Sequence, residues 1–194
     1  MYVIIVISVI ILTLLPIAAR SVICVPRNEV RMKICTDNSR KALGTGIRLV
    51  VPFMEHIQQV VTIRYGRRCR TEKIFLGKQA WKIPEIQTVT GSGMTAAITA
   101  TVHFQISNPY LATPEKGKYM PERLTELAKK AIETAAQQTD AKTLVGDHEK
   151  MERSILEILA PAAWENGLNV TAVQYLAVIR YPWPVNSEKH NNQH

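Results

Sequence analysis

Residues 2–19 carry no charged side chain, and 18 consecutive uncharged residues rich in Ile, Val and Leu leave a chain few structural options. As a helix the stretch spans ~27 Å at ~1.5 Å per residue. That is close to the ~30 Å hydrocarbon core of a bilayer, and Arg20 can snorkel to the headgroups. A cleaved signal peptide calls for a basic n-region, which is absent here, and Ile17-Ala18-Ala19 matches an A-x-A end only loosely. A buried soluble element is seldom apolar over such a length. Residues 1–20 therefore read as a retained membrane anchor, with Val3, Ile7, Ile10, Leu14 and Pro16 as its lipid-contacting residues. Pro16 can kink or end the helix, which favours a shallow or re-entrant insertion over a clean span. Both modes stay open.

The net charge of +8 suggests an anionic partner, nucleic acid or membrane, and its distribution decides between them. From Arg20 to Lys78 there are 13 basic and 4 acidic residues; from Gln79 to His194 there are 11 and 12. All the excess follows the apolar stretch. Arg20, Arg27, Arg31, Lys33, Arg40 and Lys41 lie C-terminal to it and none precedes it, so the positive-inside rule puts the folded domain in the cytoplasm. Three cysteines without C-x-x-C spacing agree with a reducing compartment. Cys24 sits where juxtamembrane palmitoylation occurs, but as a small hydrophobe it better suits a buried position. Arg64, Arg67, Arg68, Arg70 and Lys73, around Gly66, form the one dense basic cluster. With Arg20 these are the candidate lipid-headgroup residues, each cation being worth ~1 kcal/mol beside anionic lipid. The other reading is a solvated strand end and loop. The cluster lacks the interleaved aromatics of a nucleic-acid stacking platform, so no nucleic-acid partner is expected.

Alternation predicts strands at Val30, Met32 and Ile34, and again at Val61, Ile63 and Tyr65, with Gly44-Thr45-Gly46 turning the chain between them and Pro52-Phe53 ending the apolar run 47–51. The cleanest pattern is 95–106, with Ala96, Ile98, Ala100, Val102, Phe104 and Ile106 on one face after a Gly91-Ser92-Gly93 hairpin. Pro121 opens a helix whose stripe is Leu124, Leu127, Ala128, Ala131, Ile132 and Ala135. Asp147 is placed to N-cap a second helix with Met151, Ile155, Ile158, Leu159 and Ala162 inward and Gly167 as its stop; Pro161 should kink its last turn or shift its end. A closing strand over 168–179 and a polar, disordered tail over 181–194 complete the order.

Catalytic signatures are missing. There is no G-x-S-x-G, and Gly91-Ser92-Gly93 is one residue too tight. His190 and His194 have a metal-compatible spacing but lie in a polar, non-periodic tail. His56, His103 and His148 stand without partners at ligand spacing, and no phosphate-binding glycine loop occurs. No catalytic residue, metal or cofactor is expected.

These elements resemble, in order, the SPFH superfamily of stomatins, prohibitins, flotillins and related bacterial membrane-protease regulators. Val25-Pro26-Arg27-Asn28-Glu29-Val30 is similar to the family's opening strand and turn. Leu43-Gly44-Thr45-Gly46-Ile47 through Pro52-Phe53 resembles its "L-x-P-G … P-F" turn, with Thr45 where proline is usual. Residues 88–109 resemble a strand pair ending in Ser107-Asn108-Pro109, and Trp164-Glu165-Asn166-Gly167-Leu168-Asn169-Val170 the "W-G-I-x-V" close. Gly44, Gly46, Pro52 and Gly167 are the structural turn residues of this reading. The family's long Ala/Glu/Arg-rich coiled coil is lacking, and the run between the two helices is altered to Gly146-Asp147-His148-Glu149-Lys150.

The resemblance implies an α+β fold: the anchor, a β-rich membrane-proximal subdomain over 21–80 and an α/β subdomain over 81–180. It implies a non-enzymatic, membrane-anchored scaffold that assembles with itself or a paralogue and organises other membrane proteins. The alternatives are a regulatory subunit of a membrane protease, whose known bacterial examples face away from the cytoplasm, and a membrane-tethered hydrolase of unrecognised type.

Overall fold

A computed structural model describes Tyr2 and residues 21–51, 54–113 and 119–180. The anchor residues Val3, Ile7, Ile10, Leu14 and Pro16, together with Arg20, Pro52 and the tail 181–194, lie outside the described residues. Among those described, no helix is long and apolar enough to cross a membrane.

The N-terminal region consists of short strands. β1 (Val22–Val25) pairs antiparallel with β4 (Gly46–Leu49). β2 (Glu29–Cys35) lies between β3 (Arg40–Leu43) and β5 (Glu55–Ile57), and β8 (Ile74–Phe75) pairs with the start of β2. β6 (Val60–Arg64) and β7 (Arg67–Thr71) form a separate hairpin. Val30 and Met32 are buried as their alternation requires. Tyr65 departs from the predicted strand: it occupies the hairpin turn at φ +51°, followed by Gly66 at +70°, and is 90% exposed. The two-residue turn needs positive φ at both positions to match the strand twist, and that demand overrides the apolar pattern.

The C-terminal region is continuous. β9 (Gln79–Val89), β10 (Thr95–Ile106) and β11 (Leu168–Arg180) form an antiparallel sheet with β10 central. The six inward residues predicted on β10 are all buried, and Ala97 with them. Pro84 is accommodated because β9 is an edge strand. One face carries α2 (Met120–Gln137) and α4 (His148–Trp164), whose buried stripes meet over Phe104, Ile98 and Ile83. The Asp147 side chain accepts from Lys150 N at 3.2 Å, capping α4. The helix runs through Pro161 to Trp164: proline has no N–H to give the Glu157 carbonyl, but its own carbonyl still accepts from Glu165 N at 3.2 Å.

Two short helices escape the periodicity argument, α1 (Pro109–Ala112) and α3 (Ala141–Gly146). Gly167 has φ +73°, and a Cβ there would overlap the Asn108 carbonyl and approach Leu111 Cβ at 2.9 Å. It is both a helix stop and a contact point.

Candidate membrane-proximal surface

The β1–β4 ribbon begins directly after the apolar stretch. Its register sets Val22 opposite Leu49 and Cys24 opposite Ile47. Strand alternation therefore places these four on one face and Ile23 and Val25 on the other. The inner face packs Val25 against Leu43 and Val50, with Ile23 and Ile57 beside them. The outer face meets no protein among the described residues: Ile47 is 77% exposed, Leu49 63% and Val22 53%, and Val51 and Met54 extend it. Cys24 is exposed too, contrary to its expected burial, because the even register of β1 turns it outward.

Two polar devices hold the ribbon. The Arg48 guanidinium donates to the Gly44 and Thr45 carbonyls at 3.1 Å each, closing the turn in which Gly46 takes φ +108°. Gly46 is thus required by its backbone, whereas Gly44 has an ordinary φ and serves as an acceptor. Past the ribbon, Glu55 accepts from Lys33 Nζ at 2.6 Å and from Val51 N at 3.0 Å. These bonds, the lysine first, hold its carboxyl below the usual range.

The basic cluster maps to the β6–β7 hairpin, but its members differ. Arg64, Arg67 and Arg70 are exposed. Arg68 Nη1 lies 2.8 Å from Glu122 at the start of α2, and Lys73 Nζ lies 3.8 Å from Glu29 on β2. Those two cations tie the hairpin to its neighbours, so they offer less free charge than a count of basic residues implies. The Arg64 guanidinium rests 5.5 Å from the Tyr65 ring centroid.

Ser92, His103 and His148 have structural partners, His56 is exposed on β5, and His190 and His194 lie outside the described residues. Ser92 Oγ lies 3.0 Å from Thr90 Oγ1 and accepts from Ala141 N at 3.2 Å, joining the β9–β10 turn to α3. His103 Nε2 is 3.5 Å from Gln174 Oε1 on the adjacent strand. The His148 ring lies 5.2 Å from that of Tyr175, whose hydroxyl donates to the Leu144 carbonyl at 2.6 Å. Burial, with Glu152 and Asp147 near, pushes that phenol up to about 12. Among the described residues no group of three or more His, Cys, Asp or Glu could hold a metal ion.

Sequence reasoning missed the outward turn of Val22, Ile47 and Leu49. The signal available was the strict alternation in 22–25 opposite 46–49, which becomes readable only once the two strands are paired.

No curated protein matches the chain. The model of the SPFH domain / Band 7 family matches residues 23–187, which takes in every strand from β2 onward and all four helices described above. Members of that family are generally non-enzymatic and typically membrane-associated. With most of its length matched and the α+β architecture in place, this chain belongs to the SPFH domain / Band 7 family.

Proposed function

We propose that the protein is a non-enzymatic, membrane-anchored scaffold of the stomatin/prohibitin type, which assembles laterally and organises or regulates other membrane proteins. The observation that carries the reading is the outer face of the β1–β4 ribbon. Val22, Cys24, Ile47 and Leu49 present apolar surface to solvent immediately after 18 residues without a charge. Exposed apolar surface continuous with an apolar terminus fits a domain seated on a bilayer. Arg64, Arg67 and Arg70, which form no ion pair among the described residues, add cations for anionic headgroups. Lateral assembly with a second copy or a paralogue is supported by β11, a 13-residue strand that pairs only with β10 among the described residues. The excess of basic residues after the apolar stretch supports a cytoplasmic domain.

Liposome flotation tests the anchoring. The full chain should float with vesicles, and a chain lacking residues 1–20 should float far less. Ile47→Asp with Leu49→Asp should lower the residual binding of that shortened chain further without altering its thermal unfolding. A full chain that stays at the bottom of the gradient, or a shortened chain that floats as well as the full one, overturns the reading.

A further inference from the structure

Between the tip of the β6–β7 hairpin and the segment 75–80 lies a cleft of about 440 Å³, within the size range of small-molecule sites. Gly66 is required at the tip by its φ of +70° and lies beside the Ala80 carbonyl, which an added Cβ would meet only at an ordinary contact distance of 4.0 Å. Two properties of the lining define what fits.

Arg64 and Lys78 both line the cleft, and neither takes part in the ion pairs found among the described residues. The apolar wall comes from Tyr65 and Phe75. The Phe75 ring lies over Gly77, where an added Cβ would come within 2.5 Å of Cζ, so the glycine sets the ring's position. Gln79 is 8% exposed and donates from Nε2 to the Phe75 carbonyl at 2.9 Å, while its Oε1 has no hydrogen-bond partner. That oxygen is closed off from solvent, so the polar character of the cleft comes from Arg64 and Lys78.

We propose that this cleft binds a phosphomonoester that also carries an apolar arm. Two cations match the charge of about −1.5 to −2 on a phosphomonoester better than a single carboxylate. The arm lies against Phe75 and Tyr65. Of the basic cluster only Arg64 lines this site, and the proposal does not depend on the membrane-anchored reading. A lysophospholipid headgroup and a soluble phosphate ester share the required chemistry.

The test is isothermal titration calorimetry of the full chain in phosphatidylcholine nanodiscs. The probes are short-chain lysophosphatidic acid, glycerol 3-phosphate, and lysophosphatidylcholine, in which the phosphate is capped as a diester. Saturable binding of a monoester is expected, weakened ~10-fold by Arg64→Gln and by Lys78→Gln, both surface changes that leave the core intact. Gly77→Ala should displace the Phe75 ring, weakening lysophosphatidic acid while leaving glycerol 3-phosphate unchanged. Tighter binding of lysophosphatidic acid than of glycerol 3-phosphate supports the site with a lipid as its source. Equal binding supports it with a soluble ester. Absence of saturable binding by either monoester, equal binding of the diester, or wild-type affinity in both cation variants overturns the proposal. Flotation reads anchoring separately, so either idea can fail alone.

Discussion

The β1–β4 ribbon and the sheet-and-helix unit are built on different terms. In the sheet-and-helix unit a single apolar core runs from Ile83 and Phe104 through Leu124 and Ile132 to Leu159 and Val173, and it takes in Val30, Met32, Val60, Ile63 and Ile74 of the short strands. Among the short strands, the β1–β4 ribbon has only Val25, Leu43 and Val50 buried, and relies on Arg48 and Glu55 to hold its loops. The short strands expose Val22, Ile47 and Leu49 on the ribbon, and on the β6–β7 hairpin three arginines that form no ion pair among the described residues. Stability is concentrated where the core is continuous, and contact surface where it is not.

Substitutions should separate the two regions sharply. Phe104→Ala removes a fully buried ring at the centre of the larger core and should cost ~3–5 kcal/mol, read from denaturant unfolding. A loss no larger than that of a surface substitution would show the continuous core to be less decisive than described. Gly167→Ala places a Cβ against the Asn108 carbonyl at a positive φ and should cost more than ~1 kcal/mol. Its effect should appear in the sheet-and-helix unit, as faster hydrogen exchange in β11 and α1.

The smallest effect should belong to the short-strand region and depend on pH. The folded-state pKa of Glu55 is lowered, so its contribution is present above the ordinary carboxylate range and is lost as pH falls through the depressed folded value. Acidification should therefore lower the protection factor of the Val51 amide in the wild type, its exchange being referred to the intrinsic rate at each pH. Glu55→Ala should show low protection at every pH, and a wild-type protection factor indifferent to acid would remove this clamp from the account.

How far the sequence carried depends on how local each feature is. β10 was legible because twelve residues alternate without a break, and α2 because its stripe persists over five turns. α3 was not, since six residues are too few for a helical period to emerge. Tyr65 misled because a turn's dihedral demand leaves no trace in hydropathy. For the candidate surface, the charge density at Arg64–Lys73 was readable, but the pairing of Arg68 with Glu122, far along the chain, was not. Neither was the aspect of Ile47 and Leu49, because an apolar run does not say which side of a ribbon it faces until its partner strand is known.

Two polar contacts join β3 to the short helix α1. Arg40 binds the Thr113 carbonyl, and the Ala42 amide donates to the Tyr110 hydroxyl at 2.8 Å. α1 in turn sits against Gly167, where β11 begins. Mechanically this is a transmission path: β1 touches β2, β2 pairs with β3, β3 grips α1, and α1 bears on the root of β11. A displacement of the ribbon would thus reach the outer edge of β11, which pairs only with β10 among the described residues, without passing through the long helices.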